Sequence, residues 1–189
     1  MLHTINSTHK PVDSAHSEEL KPLVHEAQNG NATAFRGIFE HLSDRLFGYT
    51  VSHTSNRDDA LDIVQDTFID LWHGLSKFEY RSDEAFYGFI FIILKRKISH
   101  FRTKTSMHQQ LPLDENIIPQ TYQVETEDYR YLTRHINALD SEYQDLLKLR
   151  YWSGMTFAEI AAVMNIKETT AKVWHHRALE ELRSQLVES

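Results

Sequence analysis

The sequence predicts an all-α protein: two small helical domains joined by a flexible linker, the C-terminal one a helix-turn-helix. Three observations carry that prediction. Apolar residues recur at intervals of three and four through the first half, an acidic stretch with two prolines and no Lys or Arg follows, and Leu139 to Leu186 reads as one helix feeding a helix-turn-helix. By composition, residues 1–20 are read as a disordered tail, 21–104 as the first helical domain, 105–128 as the linker and 129–189 as the second domain.

In the first domain, Phe35, Ile38, Phe39, Leu42, Leu46 and Tyr49 mark an amphipathic helix. From Asp58 to Leu75 the apolar pairs Ile63/Val64, Thr67/Phe68 and Leu71/Trp72 repeat every four residues. On another face Asp58, Asp62, Asp66 and Asp70 keep the same interval. Like charges at that spacing repel by a few tenths of a kcal/mol per pair, so the row gains nothing locally. It is either a solvated face or the docking surface of a positively charged partner. A loop from Lys77 to Ala85 then leads into Phe86 to Lys104, apolar in its first half and basic in its second, with Lys95, Arg96, Lys97, Arg102 and Lys104. Cations are favoured at a helix C-terminus by its dipole, which is one explanation. Aromatics beside cations also suit unpaired bases and phosphates, which is the other.

The linker contains Asp114, Glu115, Glu125, Glu127 and Asp128 and supports no fold of its own. Beyond it, Asp140 or Ser141 caps a helix through Tyr151, and Gly154 stops it. Thr156 and Glu159 have the spacing of a capping box for a second helix, whose inward stripe is Phe157, Ile160, Ala161 and Met164. Asn165 suits the left-handed turn residue. A third helix opening near Glu168 turns Ala171, His175, Ala178 and Leu182 inward. It leaves Thr169, Val173, His176 and Arg177 outside, with Thr170 and Lys172 on the flanks. Hydroxyls, cations and a methyl-bearing side chain in that pattern suit phosphates and base edges of a major groove. A three-helix bundle with no DNA role is the bland alternative.

The 189 residues carry a net charge of -7 and no cysteine, which excludes disulfides and thiolate metal sites. The N-terminal twenty residues lack the apolar run of a secretion signal, and the apolar run Phe89 to Leu94 is far short of the roughly 20 residues that span a bilayer. A soluble, cytoplasmic protein is expected. Adjacent His175 and His176 point about 100° apart on a helix and cannot chelate one ion, so neither metal nor cofactor is expected. No nucleophile–base pair, phosphate loop or paired catalytic carboxylates stands out, and the protein is not read as an enzyme. An acidic chain binds free DNA weakly, because affinity comes largely from cations displacing counterions. That favours a subunit of a larger nucleic-acid machine.

With these residues assembled, the chain resembles the sigma-70 family of bacterial RNA polymerase specificity subunits, and is most similar to its small extracytoplasmic-function (ECF) group. The segments that carry the resemblance are Asp58 to Trp72, with the Gln65-Asp66-Thr67-Phe68 step most specific, Lys77 to Lys104, and Leu139 to Leu182. The resemblance implies core RNA polymerase and promoter DNA as partners, and an anti-sigma factor as a further one. It implies that Asp62, Gln65, Asp66 and Asp70 bind the polymerase clamp and that Tyr80, Arg81, Phe86, Lys95 and Arg96 bind the minus-10 region. Thr169, Thr170, Lys172, Val173, His176 and Arg177 are implied to bind the minus-35 duplex. The loop from Lys77 to Ala85 would capture a flipped base, and the linker would thread the active-site cleft. Where relatives often carry a buried Leu and an Arg, this chain has His175, expected as a hydrogen-bonded core histidine, and Trp174, expected at the domain edge. The competing reading is a stand-alone helix-turn-helix regulator whose N-terminal domain senses a ligand or dimerises.

Overall fold

The computed structural model describes residues 17–54, 56–109 and 134–187, and all regular structure among them is helical. Helices α1 (Ser17–Gln28), α2 (Ala32–Val51), α3 (Arg57–Leu75) and α4 (Asp83–Gln109) form an N-terminal unit. A short helix α5 (134–138), α6 (Ser141–Tyr151), α7 (Phe157–Met164) and α8 (Glu168–Val187) form a C-terminal one.

Local chemistry sets the boundaries. Gly30, at φ 86°, ends α1, and the Asn31 side chain accepts from the Thr33 and Ala34 amides to start α2. Asn56 does the same for α3 through the Asp58 amide. The apolar stripes of the four N-terminal helices then meet in one core around Ile38, Leu42, Phe68, Leu71, Phe91 and Leu94, each at most 4% exposed. Two boundaries differ from the compositional reading. Helix α1 begins inside the stretch assigned to the tail because Leu20, 1% exposed, belongs to the core, and α4 runs past residue 104 to Gln109. Residues 1–16 and 110–133, which hold the rest of the expected tail and linker, lie outside the described residues.

The helix-turn-helix follows its sequence grammar closely. Gly154 takes φ 64°, the Thr156–Glu159 capping box has both of its bonds, and Asn165 sits in the left-handed region at φ 54°, ψ 47°. Asp140 occupies the cap position of α6 without a side-chain cap bond. Ala171, Ala178 and Leu182 are buried as expected, whereas His175, expected in the core with them, is half-buried beside the exposed Tyr151.

The two units also pack directly on one another, with α7 laid against α4 and the α6–α7 turn against α2. Glycine makes that approach possible. A Cβ on Gly48 would stand 2.0 Å from the Trp152 carbonyl oxygen, and one on Gly88 would stand 3.3 Å from that of Ala162. Helix α7 buries Glu159, Ile160, Ala161 and Val163, and meets the N-terminal unit through Glu159 on Arg45 and through the Ala162 backbone beside Gly88.

Candidate nucleic-acid interface

The third helix of the C-terminal unit presents the surface its sequence suggests. Thr169, Lys172, Val173, His176 and Arg177 are exposed on α8 and Thr170 is half-buried beside them. Val173 is 48% exposed, an apolar side chain on an otherwise polar face. Lys172 is held by Glu168 at 2.7 Å and His176 lies 3.3 Å from Glu180, both one turn away on the same helix. Such surface pairs exchange readily with solvent and contribute little, so the face stays available. Behind it, the Tyr151 hydroxyl lies 3.0 Å from His175 Nε2. Burial, then Arg150 and His176, lower the His175 pKa and keep its ring neutral. Trp174 packs edge-on to Tyr143.

On α3, Asp58, Asp62, Gln65 and Asp66 are exposed, so most of the carboxylate row faces outward. Burial, then the Asp62 and Asp58 charges, push the Asp59 carboxyl upward. Asp70 differs from the others. It is half-buried and accepts from Lys97 at 2.9 Å and from Arg96 at 3.5 Å, both on α4. Beside the acids, Phe39, Ile69 and Trp72 are 41%, 55% and 37% exposed. Helical spacing assigned Phe39 and Trp72 to the inner stripe and passed over Ile69. The signal available was the position of Ile69, one turn beyond Gln65 and Asp66 on the polar side.

The residues implied for the minus-10 region divide. Arg81 is exposed and paired with Glu79 at 2.9 Å; half-buried Tyr80 donates its hydroxyl hydrogen to Asp83. Both line an open cleft with Lys21, Pro22, Ser82 and Glu84. Phe86 is a correction: it is completely buried between Phe78 and Tyr80, so its ring supports the loop and offers no surface to a base. Lys95 reaches across the seam to Asp145 at 2.5 Å, and Asp145 also accepts the Tyr49 hydroxyl. Burial, then the Asp145 charge, drive the Tyr49 pKa far upward, so the phenol remains a donor.

The seam has a second polar anchor. Glu159 uses one carboxylate oxygen to accept the Thr156 amide at 2.7 Å and the other to accept Arg45 Nη1 at 2.9 Å. Arg45 in turn lies over the Tyr87 ring, and its carbonyl accepts Ser153 Oγ at 3.0 Å. His53 sits nearby with Nδ1 2.8 Å from the Tyr49 carbonyl; burial, followed by the Lys148 charge, lowers its pKa to about 4. Sequence reasoning found the Thr156–Glu159 capping box but missed the Arg45–Glu159 and Arg45–Ser153 contacts, because their partners lie 114 and 108 positions apart in the chain.

A helix-turn-helix with an exposed outer face on α8 packs on a helical unit that carries an exposed row of carboxylates and a basic helix, a surface suited to nucleic acid on one side and to a cationic partner on the other. Comparison with known proteins gives the family. Residues 38–107 match the model for sigma-70 region 2 and residues 129–182 that for sigma-70 region 4. The chain is similar to the ECF RNA polymerase sigma factor BldN of Streptomyces coelicolor, 25% identical over 181 residues that cover 92% of this chain and 68% of the relative. It is also similar to the ECF sigma factor SigW of Bacillus subtilis, 23% identical and covering 88% and 96%. Its fold matches CnrH, solved in complex with the cytosolic domain of CnrY, with TM-score 0.68 at 22% identity and coverage of 90% and 99%. It matches the sigma factor RpoE of Bartonella quintana, solved with the anti-sigma factor NepR, with TM-score 0.57 at 24% identity and coverage of 80% and 96%. The chain belongs to the sigma-70 family, in its ECF group. It is a promoter-recognising transcription initiation factor whose partners are core RNA polymerase and promoter DNA.

Proposed function

We propose that the N-terminal unit, residues 21–104 with the α1 turn before it, docks on core polymerase and handles the minus-10 element, while residues 129–189 read the minus-35 duplex. Asp62, Gln65 and Asp66 supply the polar part of the docking face, and the neighbouring Phe39, Ile69 and Trp72 supply apolar area around it. Asp70 joins that set once its α4 partners leave. Tyr80 and Arg81 form the minus-10 loop contact, with Lys95 and Arg96 on the adjoining helix meeting the backbone of the opened strand. Thr169, Thr170, Lys172, Val173, His176 and Arg177 meet the minus-35 groove. The observation that carries this reading is the clear outer face of α8 on one unit together with the exposed carboxylate row of α3 on the other.

The factor acts in the cytoplasm, where polymerase and promoter are, and no helix among the described residues is long and apolar enough to cross a membrane. A protein inhibitor is a further partner, a reading supported by similar chains having been solved with CnrY and with NepR. Run-off transcription from a random promoter library with core enzyme tests the assignment. Transcripts that depend on this chain and share two spaced upstream elements are the expected result, and no chain-dependent transcript would contradict it.

A further inference from the structure

Beside the Asp145 anchor, α6 buries a lysine. Lys148 is 6% exposed, yet among the described residues its ammonium has neither an ion-pair nor a hydrogen-bond partner. The carboxylate nearest to serving it is committed elsewhere, since Asp145 gives one oxygen to Lys95 and the other to the Tyr49 hydroxyl. Arg102, on the exposed side of α4, likewise has no such partner among the described residues. Lys148, Arg102 and His53 line one open cleft of about 550 Å³, and Arg102 and His53 also wall an adjoining recess of about 280 Å³ that reaches Lys95. Glu142 stands at the exposed rim, where it accepts the Ser141 hydroxyl at 3.0 Å.

The groups in the cleft repel one another. Burial, then the Arg102 charge, lower the Lys148 pKa, and the opposing Asp145 charge has the smallest effect of the three. Burial and then Lys148 lower that of His53, with Arg102 adding to them. A buried ammonium without an acceptor is costly, and an anion supplied from outside the chain relieves the cost. We propose that the cleft between α4 and α6 is a binding site for a small free polyanion of the phosphate class, with pyrophosphate as its simplest form, held by Lys148 and Arg102. The planar fork of Arg102 suits two phosphate oxygens, and the Lys148 ammonium meets another as a point charge. His53 has Nδ1 on the Tyr49 carbonyl, which leaves Nε2 as the ring atom able to meet the ligand. Depth selects size. A phosphate inside a nucleic-acid strand carries a sugar on each side and is kept from a side chain buried between packed helices, whereas a free anion reaches it. The net charge of -7 disfavours anions over the chain as a whole, so saturable binding requires a local site.

Magnesium-free pyrophosphate is titrated into the full-length chain by isothermal calorimetry at constant ionic strength, and saturation at one site is expected. Lys148→Met keeps the unbranched stem and removes an unpaired buried charge, so the variant should melt no lower than the parent without ligand while losing at least about tenfold in affinity. Arg102→Gln, at an exposed position, should lose a comparable factor; Arg36→Gln, exposed on α2 outside the cleft, should lose none. No saturable binding by the parent, or equal affinity in the parent and either cleft variant, would overturn the proposal. So would a Lys148→Met variant that binds a short single-stranded oligonucleotide more weakly and pyrophosphate as before, because the site would then belong to a strand. The titration needs neither polymerase nor promoter, so its failure is separate from that of the promoter assignment, which the library experiment tests.

Discussion

The helices of this chain assigned to DNA stand in opposite states. The pairs of Lys172 and His176 on the outer face of α8 are with acids on their own helix, whereas Lys95 and Lys97 of α4 are partly buried against acids brought by α6 and α3. The difference teaches that composition locates a cation without saying whether it is free. On α8 the partners are one turn away on an exposed surface, so duplex phosphates compete with them easily. On α4 the partners are brought by tertiary packing, and displacing them means moving an element.

The largest effect is expected at the carboxylate row of α3. Asp66→Arg should abolish co-purification with core polymerase while leaving the helical circular dichroism unchanged, since Asp66 is exposed on α3. Retained co-purification would detach the acid row from the enzyme. Next come changes at the seam. Glu159→Ala removes both the capping bond and the Arg45 pair, and should lower stability by about 2 kcal/mol in urea unfolding. Gly48→Ala should add up to about 1 kcal/mol of helix propensity to α2 yet drive the units apart, raising the radius of gyration in small-angle scattering.

A smaller effect is expected from acid. His53 is kept neutral because burial lowers its pKa from 6.5 to about 4. The unfolded or opened chain therefore binds the proton that the closed chain refuses, so stability is fully present above pH 6.5 and falls as pH drops through the window to 4. Thermal melts of the His53→Gln variant should show a shallower decline across that window. The smallest change sits on the open helix. Arg177→Ala should weaken duplex binding by the polymerase complex and reduce its salt slope by about 0.9, with no effect on the seam.

Much of the C-terminal unit was legible in the sequence because its rules are local. The capping box, the left-handed Asn165, the Gly154 stop and the outward set of α8 each depend on residues within one or two turns. The N-terminal core was legible for the same reason, through the three-and-four spacing of Ile38, Leu42 and Leu46. What stayed hidden was long-range. Glu159 reads as a capping residue, and nothing near it announces that its second oxygen pairs with Arg45, 114 positions away. Phe86 was misassigned because an aromatic at the head of a basic helix looks the same whether its ring points to solvent or to the core. One signal did exist. Gly48 and Gly88 lie inside helices, where glycine costs about 1 kcal/mol relative to alanine, and a glycine kept there marks a close approach by another backbone.

The account turns on promoter affinity being shared with the enzyme. Once a promoter has been selected by run-off transcription, the affinity of the full-length chain for that duplex at physiological salt, measured with and without core polymerase, addresses this directly. Weak binding by the chain alone and tight binding with core enzyme is the predicted outcome. Tight, sequence-selective binding by the chain alone would contradict it and favour a stand-alone regulator.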